Sequence, residues 1–127
     1  MVKIAAASTD GKLVNQHFGK TDIFYILNAD EESGSIELEE ERHVVPVCSN
    51  GDHEDNRLTE TIQQISDCQY VLVSRIGGRA GQKLERQGIT ACELPGIITE
   101  SVDKLLRYTK VQRLLEQAVT KTGEEPS

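Results

Sequence analysis

Residues 70–94, YVLVSRIGGRAGQKLERQGITACEL, decide the fold of this 127-residue chain. They begin with the apolar run 70–74, which is typical of a central strand that is covered on both faces. A glycine-rich turn at 77–81 and a short helix ending near Gln87 follow, and residues 89–94 predict another strand. Two strands joined by a helix of this length indicate a right-handed βαβ crossover, and therefore a parallel part of the sheet.

The N-terminal half predicts an antiparallel meander. Strand-like runs at 2–7, 22–28 and 35–45 are separated by turn residues, and the polar turn at 30–34 ends in a glycine suited to a positive φ. Helices are predicted at 55–66 and from Thr99 onward. Together these elements predict an α/β fold with a mixed five-stranded sheet, in which the meander precedes parallel βαβ units and helices flank the sheet.

Composition excludes several classes of function. The formal net charge of −7 and the isoelectric point of about 4.9 argue against nucleic acid and anionic membrane surfaces as partners. The sequence has no apolar run of membrane-spanning length and begins without a signal-like segment, so we expect a cytoplasmic protein. Three cysteines without a CxxC pair predict reduced thiols rather than a disulfide framework.

The C-terminal helix carries two apolar stripes that point in opposite directions. Leu114 and Leu115 follow Leu105 and Leu106 by nine residues, which is about 900° of helical rotation. Such a helix either breaks near 108–110, or its second half packs on a partner subunit or folds back over the domain. We therefore predict a domain at 1–108 and a helical extension with a disordered tail at 109–127, which is a possible homodimer contact.

A histidine occupies the loop between the first two predicted strands, in the segment Val14-Asn15-Gln16-His17-Phe18-Gly19. A neutral imidazole is a good ligand for transition metals. The neighbouring aromatic residue is placed to shield a bound group, and the glycine lets the backbone come close. The alternative is an ordinary turn whose histidine only caps a strand.

Cys48 and His53 form a second candidate group in the loop after the third predicted strand. Together with His17 they offer thiolate and imidazole ligands for iron, an iron–sulfur species or zinc. Their spacing does not match a closed zinc site, so an open and exchangeable ligand set is the better interpretation. The alternative is that both are ordinary loop residues. Cys68 and Cys92 are expected to be buried free thiols.

The turn at 77–81 is a candidate anion site. Backbone N–H groups at a helix N-terminus attract anions, and Arg75 and Arg79 add positive charge. Gly77 and Gly78 leave the backbone accessible. The segment matches neither a Walker A motif nor a dinucleotide fingerprint, and the alternative is a simple connection between strand and helix.

The residues Ile4-Ala5-Ala6-Ala7, Gly11, the segment 14–21 and Phe24 together resemble the opening of the dinitrogenase iron–molybdenum cofactor biosynthesis family. That domain is shared by NifX-type and NafY-type carriers and by the C-terminal part of NifB-type proteins. The resemblance continues through Cys48 and the later apolar positions and covers about residues 1–108. The His-Phe-Gly segment is its most specific part.

This resemblance implies a ribonuclease-H-like fold and binding of the iron–molybdenum cofactor, or of an iron–sulfur precursor cluster, in concert with nitrogenase assembly proteins. By this likeness His17 is the cluster-binding position and Cys48 a weaker one, whereas His53 rests on the sequence alone. The chain lacks the radical-SAM portion of NifB-type proteins, so we expect a carrier and not an enzyme. The predicted cofactor-binding residues are Asn15, His17, Phe18, Gly19, Arg75, Gly77, Gly78 and Arg79.

Two alternatives belong to other classes of protein. The first is a small regulatory or oligomerising module that binds another metal cluster, or that binds a protein partner through its apolar C-terminal stripe. The second is a metal-dependent nuclease, which requires clustered carboxylates around Mg²⁺. Asp10 and Asp22 are the acidic residues placed near the first two strands for that role.

Overall fold

The computed structural model describes residues 1–46 and 54–122, with side chains described at 1–46 and 57–116. Within these residues the elements follow the order β1 (Val2–Ala7), β2 (Leu13–Val14), β3 (Ile23–Ala29), β4 (Ile36–His43), α1 (Glu54–Gln64), β5 (Tyr70–Val73), α2 (Gly78–Arg86), β6 (Thr90–Glu93), β7 (Gly96–Ile97) and α3 (Ile98–Thr122). None of the described helices is long and apolar enough to span a membrane.

Five strands form a mixed sheet in the order β4-β3-β1-β5-β6. β3 runs antiparallel to both β1 and β4, whereas β1, β5 and β6 are parallel. The predicted mixed five-stranded sheet is therefore confirmed. β2 and β7 form a separate two-stranded ribbon that the sequence analysis did not predict, because two-residue strands are too short to show alternation.

The two faces of the sheet bury two apolar clusters. One face packs against α1 and α2 through residues that include Phe24, Ile26 and Val73. The other packs against α3 through residues that include Ile4 and Leu72. Successive residues of β1 and β3 enter opposite clusters, as the two-residue period of a strand requires.

α3 is one continuous helix from Ile98 to Thr122. The alternative of a break near 108–110 is therefore wrong. Thr109 is buried, and its hydroxyl donates to the Leu106 carbonyl within the helix. Val111, Leu114 and Leu115 remain 53–60% exposed, so the second half does not fold back over the domain. No part of the local sequence between the two stripes contains the proline or glycine that usually ends a helix.

An ionic network ties β4 to the turn that follows α1. The guanidinium of Arg42 donates to both carboxylate oxygens of Asp67 at 2.7 and 2.9 Å, and also to Glu40. The Lys3 ammonium lies 3.3 Å from both Asp67 and Glu39. The hydrogen bonds from Arg42 hold the pKa of the Asp67 carboxyl well below its ordinary value, against the opposing effect of partial burial.

We expect Asp67→Asn to lower the free energy of unfolding at pH 7 by about 1 kcal/mol, because the pair is partly exposed and screened by solvent. A carboxyl with a lowered pKa in the folded state stabilises the fold above its unfolded pKa of about 3.9, and this contribution is lost as the pH falls through the folded pKa. Urea denaturation measures the free energy of unfolding of parent and variant at pH 7 and at pH 3. The difference between the two proteins should be smaller at pH 3. The control is Glu37→Gln, which removes an exposed carboxylate of β4. An unfolding free-energy difference between parent and Asp67→Asn that is the same at pH 3 as at pH 7 would contradict the stabilising role of the Asp67 carboxylate.

Gly11 lies in the turn between β1 and β2 under two constraints. Its φ of +75° belongs to the left-handed region, which disfavours side chains. A Cβ at this position would also approach Cε1 of the Tyr25 ring to 2.9 Å. Gly34, in the β3–β4 turn, has nearly the same φ of +78° but open space around it. A comparison of the two positions therefore distinguishes the effect of backbone strain from that of steric crowding by the Tyr25 ring.

We expect Gly34→Ala to cost about 1 kcal/mol of unfolding free energy, because only the left-handed backbone conformation is strained. Gly11→Ala should cost this amount and about 1 kcal/mol more, because the Tyr25 ring has to move. Denaturant unfolding of the two variants and the parent measures the difference. Equal destabilisation would show that the Tyr25 ring does not restrict this position.

Candidate functional site

The carboxyl ends of the parallel strands β1, β5 and β6 meet at one edge of the sheet. From these strands, three connections leave at this edge, at residues 8–22, 74–77 and 94–95, and the connection that begins at residue 44 leaves from it too, because β4 runs parallel to β1 and its last residue, His43, pairs with Ile23. In open α/β sheets, ligands bind outside the carboxyl ends of the strands. The predicted site residues of the first two connections are therefore brought to the same edge.

His17 is held by backbone pairing with the segment that follows β5. His17 and Arg75 form an isolated parallel β-bridge. The amide of Phe18 donates to the Arg75 carbonyl at 2.9 Å, and the amide of Ser74 donates to the Gln16 carbonyl at 3.0 Å. Paired residues of neighbouring strands direct their side chains to the same face, so we expect the imidazole and the guanidinium on the same side of this pairing. Both residues are exposed.

The buried side chain of Phe18 holds the paired segment against the core. Its ring is 1% exposed and packs against Phe24 with the ring centroids 5.9 Å apart. Phe18 begins the turn that follows His17, and its side chain is buried while the His17 side chain stays exposed. The ring of Phe18 thus lies in the core beneath the loop, and its part in binding stays a prediction.

A tight turn closes the loop after His17. The amides of Lys20 and Thr21 both donate to the His17 carbonyl, at 3.0 and 3.1 Å. Thr21 is buried, and its hydroxyl donates to the Ile23 carbonyl at 2.7 Å. Gly19 lies half-buried inside this turn. Backbone bonds on both sides of His17 therefore fix its position, while no described residue hydrogen-bonds to its imidazole.

Asn15 has a structural role in the same loop. Its side-chain oxygen accepts from the Thr9 amide at 3.0 Å, and its side-chain nitrogen donates to the Thr9 hydroxyl at 2.9 Å. These two bonds close the segment between β1 and His17. Both ends of the Asn15 amide group therefore already have hydrogen-bond partners within the loop. Participation of Asn15 in ligand binding stays a prediction.

The turn into α2 presents open backbone next to Arg75. Gly77 is the N-cap residue, without a side-chain cap, and the first turn of α2 contains no acidic residue. A Cβ added at Gly77 or Gly78 would meet nothing within 4 Å, so the space in front of the turn is open. The first N–H groups of a helix lack intrahelical partners and favour negative charge. Arg79 adds a positive side chain to this first turn.

Glu93 is a site residue that the sequence analysis missed. This last residue of β6 accepts a hydrogen bond at its Oε2 from the Ile76 amide at 2.9 Å. The bond fixes the segment between Arg75 and Gly77, and hence the orientation of both. In the sequence, Glu93 appears only as a carboxylate near the end of a predicted strand. Many residues share this feature, so it does not point to a site.

The described residues do not bring another candidate metal ligand next to His17. Cys48 and His53 lie outside the described residues. Within the described part of the chain no group of three or more histidine, cysteine, aspartate or glutamate residues is placed to hold a metal ion. Cys68 is a buried free thiol, as predicted, whereas Cys92 is only half-buried. Burial raises the pKa of the Cys68 thiol to about 12 and also raises that of Cys92.

Comparison with known proteins identifies the family. A sequence model described as "Dinitrogenase iron-molybdenum cofactor" matches residues 1–108. This chain belongs to that family. The FeMo cofactor biosynthesis protein NifB of Chlorobaculum tepidum is 30% identical over 115 residues, and that of Frankia alni is 34% identical over 108 residues. The alignments cover 91% and 83% of this chain but only 26% and 21% of these relatives, so the chain spans about a quarter of their length.

Solved structures support the same fold. The crystal structure of PH0822 matches with a TM-score of 0.62 at 20% identity, covering 83% of this chain and 90% of that one. The solution structure of a putative NifB protein from Thermotoga matches with a TM-score of 0.51 at 22% identity, covering 83% and 87%. These structures support the fold, whereas the family match over residues 1–108 confirms the predicted resemblance to the cofactor biosynthesis family.

The buried thiols give a test of which cysteines are available as ligands. In a Cys48→Ser variant we expect Cys68 to resist a thiol-reactive disulfide reagent at pH 8, because a pKa near 12 lowers the thiolate fraction by roughly 1,000-fold relative to an ordinary cysteine. Mass spectrometry of the labelled protein identifies the modified residue. Full labelling in denaturant is the control, and rapid labelling of Cys68 in the native protein would contradict its assignment as an inert thiol.

Proposed function

We propose that this chain is a non-catalytic cytoplasmic carrier that binds the iron–molybdenum cofactor, or an iron–sulfur precursor cluster, during cofactor biosynthesis. The observation that carries the proposal is the exposed His17 imidazole, fixed by backbone pairing beside Arg75. Family membership and the names of the NifB relatives support the choice of cargo. Assembly proteins that deliver and accept the cluster are the implied partners.

The chemistry of His17 suits temporary binding of a metal cluster. A neutral imidazole donates an electron pair to iron without adding negative charge to the complex. Within the described residues it acts as a single protein ligand rather than as part of a closed set. Binding through few ligands favours exchange, which a carrier needs in order to release its cargo. Cys48 and His53 are proposed to complete the ligand set.

Positive charge around His17 suits an anionic cargo. Arg75 is paired with His17 through the backbone, and the open first turn of α2 follows two residues later. The partial positive charge of the helix N-terminus and the Arg79 side chain act in the same direction. The chain as a whole carries a net charge of −7, and the Glu93 carboxylate also lies at this edge, where it accepts the Ile76 amide, so the proposed positive charge is local to Arg75, Arg79 and the helix N-terminus.

The ribonuclease-H-like assignment of the fold is part of the same proposal. The antiparallel strands β4, β3 and β1 followed by the parallel strands β5 and β6 support it. The nuclease alternative has less support from the geometry. The Asp10 carboxylate already accepts hydrogen bonds from the Lys12 and Leu13 amides, and the described residues bring no group of three acidic or other metal-ligating side chains together.

The proposal is tested by anaerobic binding. We expect the apo-protein to retain isolated iron–molybdenum cofactor, or the precursor cluster, through desalting, with iron and molybdenum counted per protein. His17→Ala should lose most of the bound metal because the fixed imidazole is removed, whereas His17→Cys should retain part of it because a thiolate also binds iron. Glu32→Ala is the control, since Glu32 is an exposed residue of the β3–β4 turn at the opposite edge of the sheet.

Each outcome of this experiment has a defined meaning. Equal retention by parent and His17→Ala would overturn the assignment of His17. Failure of the parent to retain either cluster would overturn the proposed cargo. Circular dichroism of the variants should show an unchanged fold, because the imidazole is exposed and has no hydrogen bond to a described residue.

A further inference from the structure

The peptide group between Arg75 and Ile76 is held at both of its ends. Its carbonyl accepts a hydrogen bond from the Phe18 amide at 2.9 Å. Its N–H donates to Oε2 of Glu93, also at 2.9 Å. Because a peptide group is planar and stiff, these two bonds act on one rigid unit. A carboxylate on β6 is therefore joined to the amide that directly follows His17.

The Glu93 side chain replaces a strand neighbour that the segment after β5 lacks. Glu93 pairs with Val73, the last residue of β5, and β6 ends there. The residues Gly96–Ile97 that follow pair with β2 in the separate ribbon. Ile76 is half-buried and packs against the apolar cluster on the α1 and α2 face, so an amide without a partner would cost free energy there. The carboxylate supplies that partner.

The segment that carries His17 depends on this part of the chain for its position. Two described backbone hydrogen bonds join the two segments, from the Phe18 amide to the Arg75 carbonyl and from the Ser74 amide to the Gln16 carbonyl. The bonds to the His17 carbonyl come from amides within its own loop. A shift of the Arg75 carbonyl therefore changes one of the two backbone contacts that place the imidazole.

An ionised carboxylate strengthens both bonds of the shared peptide group. Hydrogen bonds to a charged acceptor are stronger than those between neutral groups. A hydrogen bond at the N–H of a peptide group also polarises its carbonyl, which becomes a better acceptor. The bond that Ile76 donates to Glu93 therefore supports the bond that Phe18 donates to Arg75.

We propose that Glu93 is a positioning residue, which holds His17 beside Arg75 through the peptide group between Arg75 and Ile76. Its effect on cargo rests on the proposed function, whereas its effect on the loop concerns the protein without cargo. Glu93 influences the cargo in two opposite ways. Its hydrogen bond places the ligand and favours binding, and its negative charge disfavours an anionic cluster.

Amide hydrogen exchange of the protein without cargo tests the positioning. Glu93→Ala removes the acceptor, and we expect the Ile76 and Phe18 amides to exchange roughly 10-fold faster, because one hydrogen bond no longer opposes local opening. Glu93→Gln keeps an acceptor oxygen and should restore most of the protection. Gly34→Ala is the control, since it strains the backbone at the opposite edge of the sheet and should leave both amides unchanged. Exchange at Phe18 that is unchanged in Glu93→Ala would overturn the proposal.

Anaerobic binding of the iron–molybdenum cofactor or the precursor cluster separates geometry from charge. We expect Glu93→Ala to bind the cluster roughly 3-fold more weakly than the parent, because the ligand is less well placed. Glu93→Gln should bind it at least as tightly as the parent, because the acceptor is kept and a negative charge is removed. Binding by Glu93→Ala that equals or exceeds that of the parent would overturn the proposal. A parent that binds neither cluster would overturn the proposed function, and the exchange rates would still decide whether Glu93 positions the loop.

Discussion

Burial of Phe18 against Phe24 is the contact on which the arrangement of the site depends. It fixes the loop after β1 over the end of β5, so that the backbone of residues 16–18 continues the parallel pairing beyond the regular strands. His17 stays exposed next to this buried ring, and its backbone pairs with that of Arg75. The side chain proposed to bind is exposed, whereas the parts that hold it in place belong to the core.

Charge is distributed unevenly over the fold. The acidic residues that give the chain its net charge are concentrated in the β3–β4 hairpin, whereas Arg75, Arg79, Lys83 and Arg86 follow one another along the glycine turn and α2. The low isoelectric point gives no sign that Arg75 is paired through the backbone with His17. Composition describes the sum of the charges, and the topology decides where each sign is placed.

The sequence predicted the strands and helices that have a hydrophobic periodicity of their own. It did not predict the features that depend on pairing between residues far apart in the chain. The five strands of the main sheet were recognisable as apolar or alternating runs. β2 and β7 were not, because neither has a pattern of its own and each exists only by pairing with the other. Likewise, the position of His17 in a loop was predictable, whereas its bridge to Arg75 and the bond from Ile76 to Glu93 join residues far apart in the chain.

The two stripes of α3 show the same division. Their opposite directions followed from helical geometry, and a break near 108–110 was one of the alternatives that those directions left open. The structure keeps the helix intact and leaves the second stripe exposed. The local sequence favours continuation of the helix, and nothing in the described fold competes with it.

The acidic strand β4 forms one edge of the sheet along eight residues. An exposed edge of this length offers free backbone groups to any other strand, and this is how sheets of separate molecules join into fibres. In β4 four glutamates fall within residues 37–41. Two such edges repel each other on approach, so the strand that is most open to pairing is also protected from pairing with its own kind.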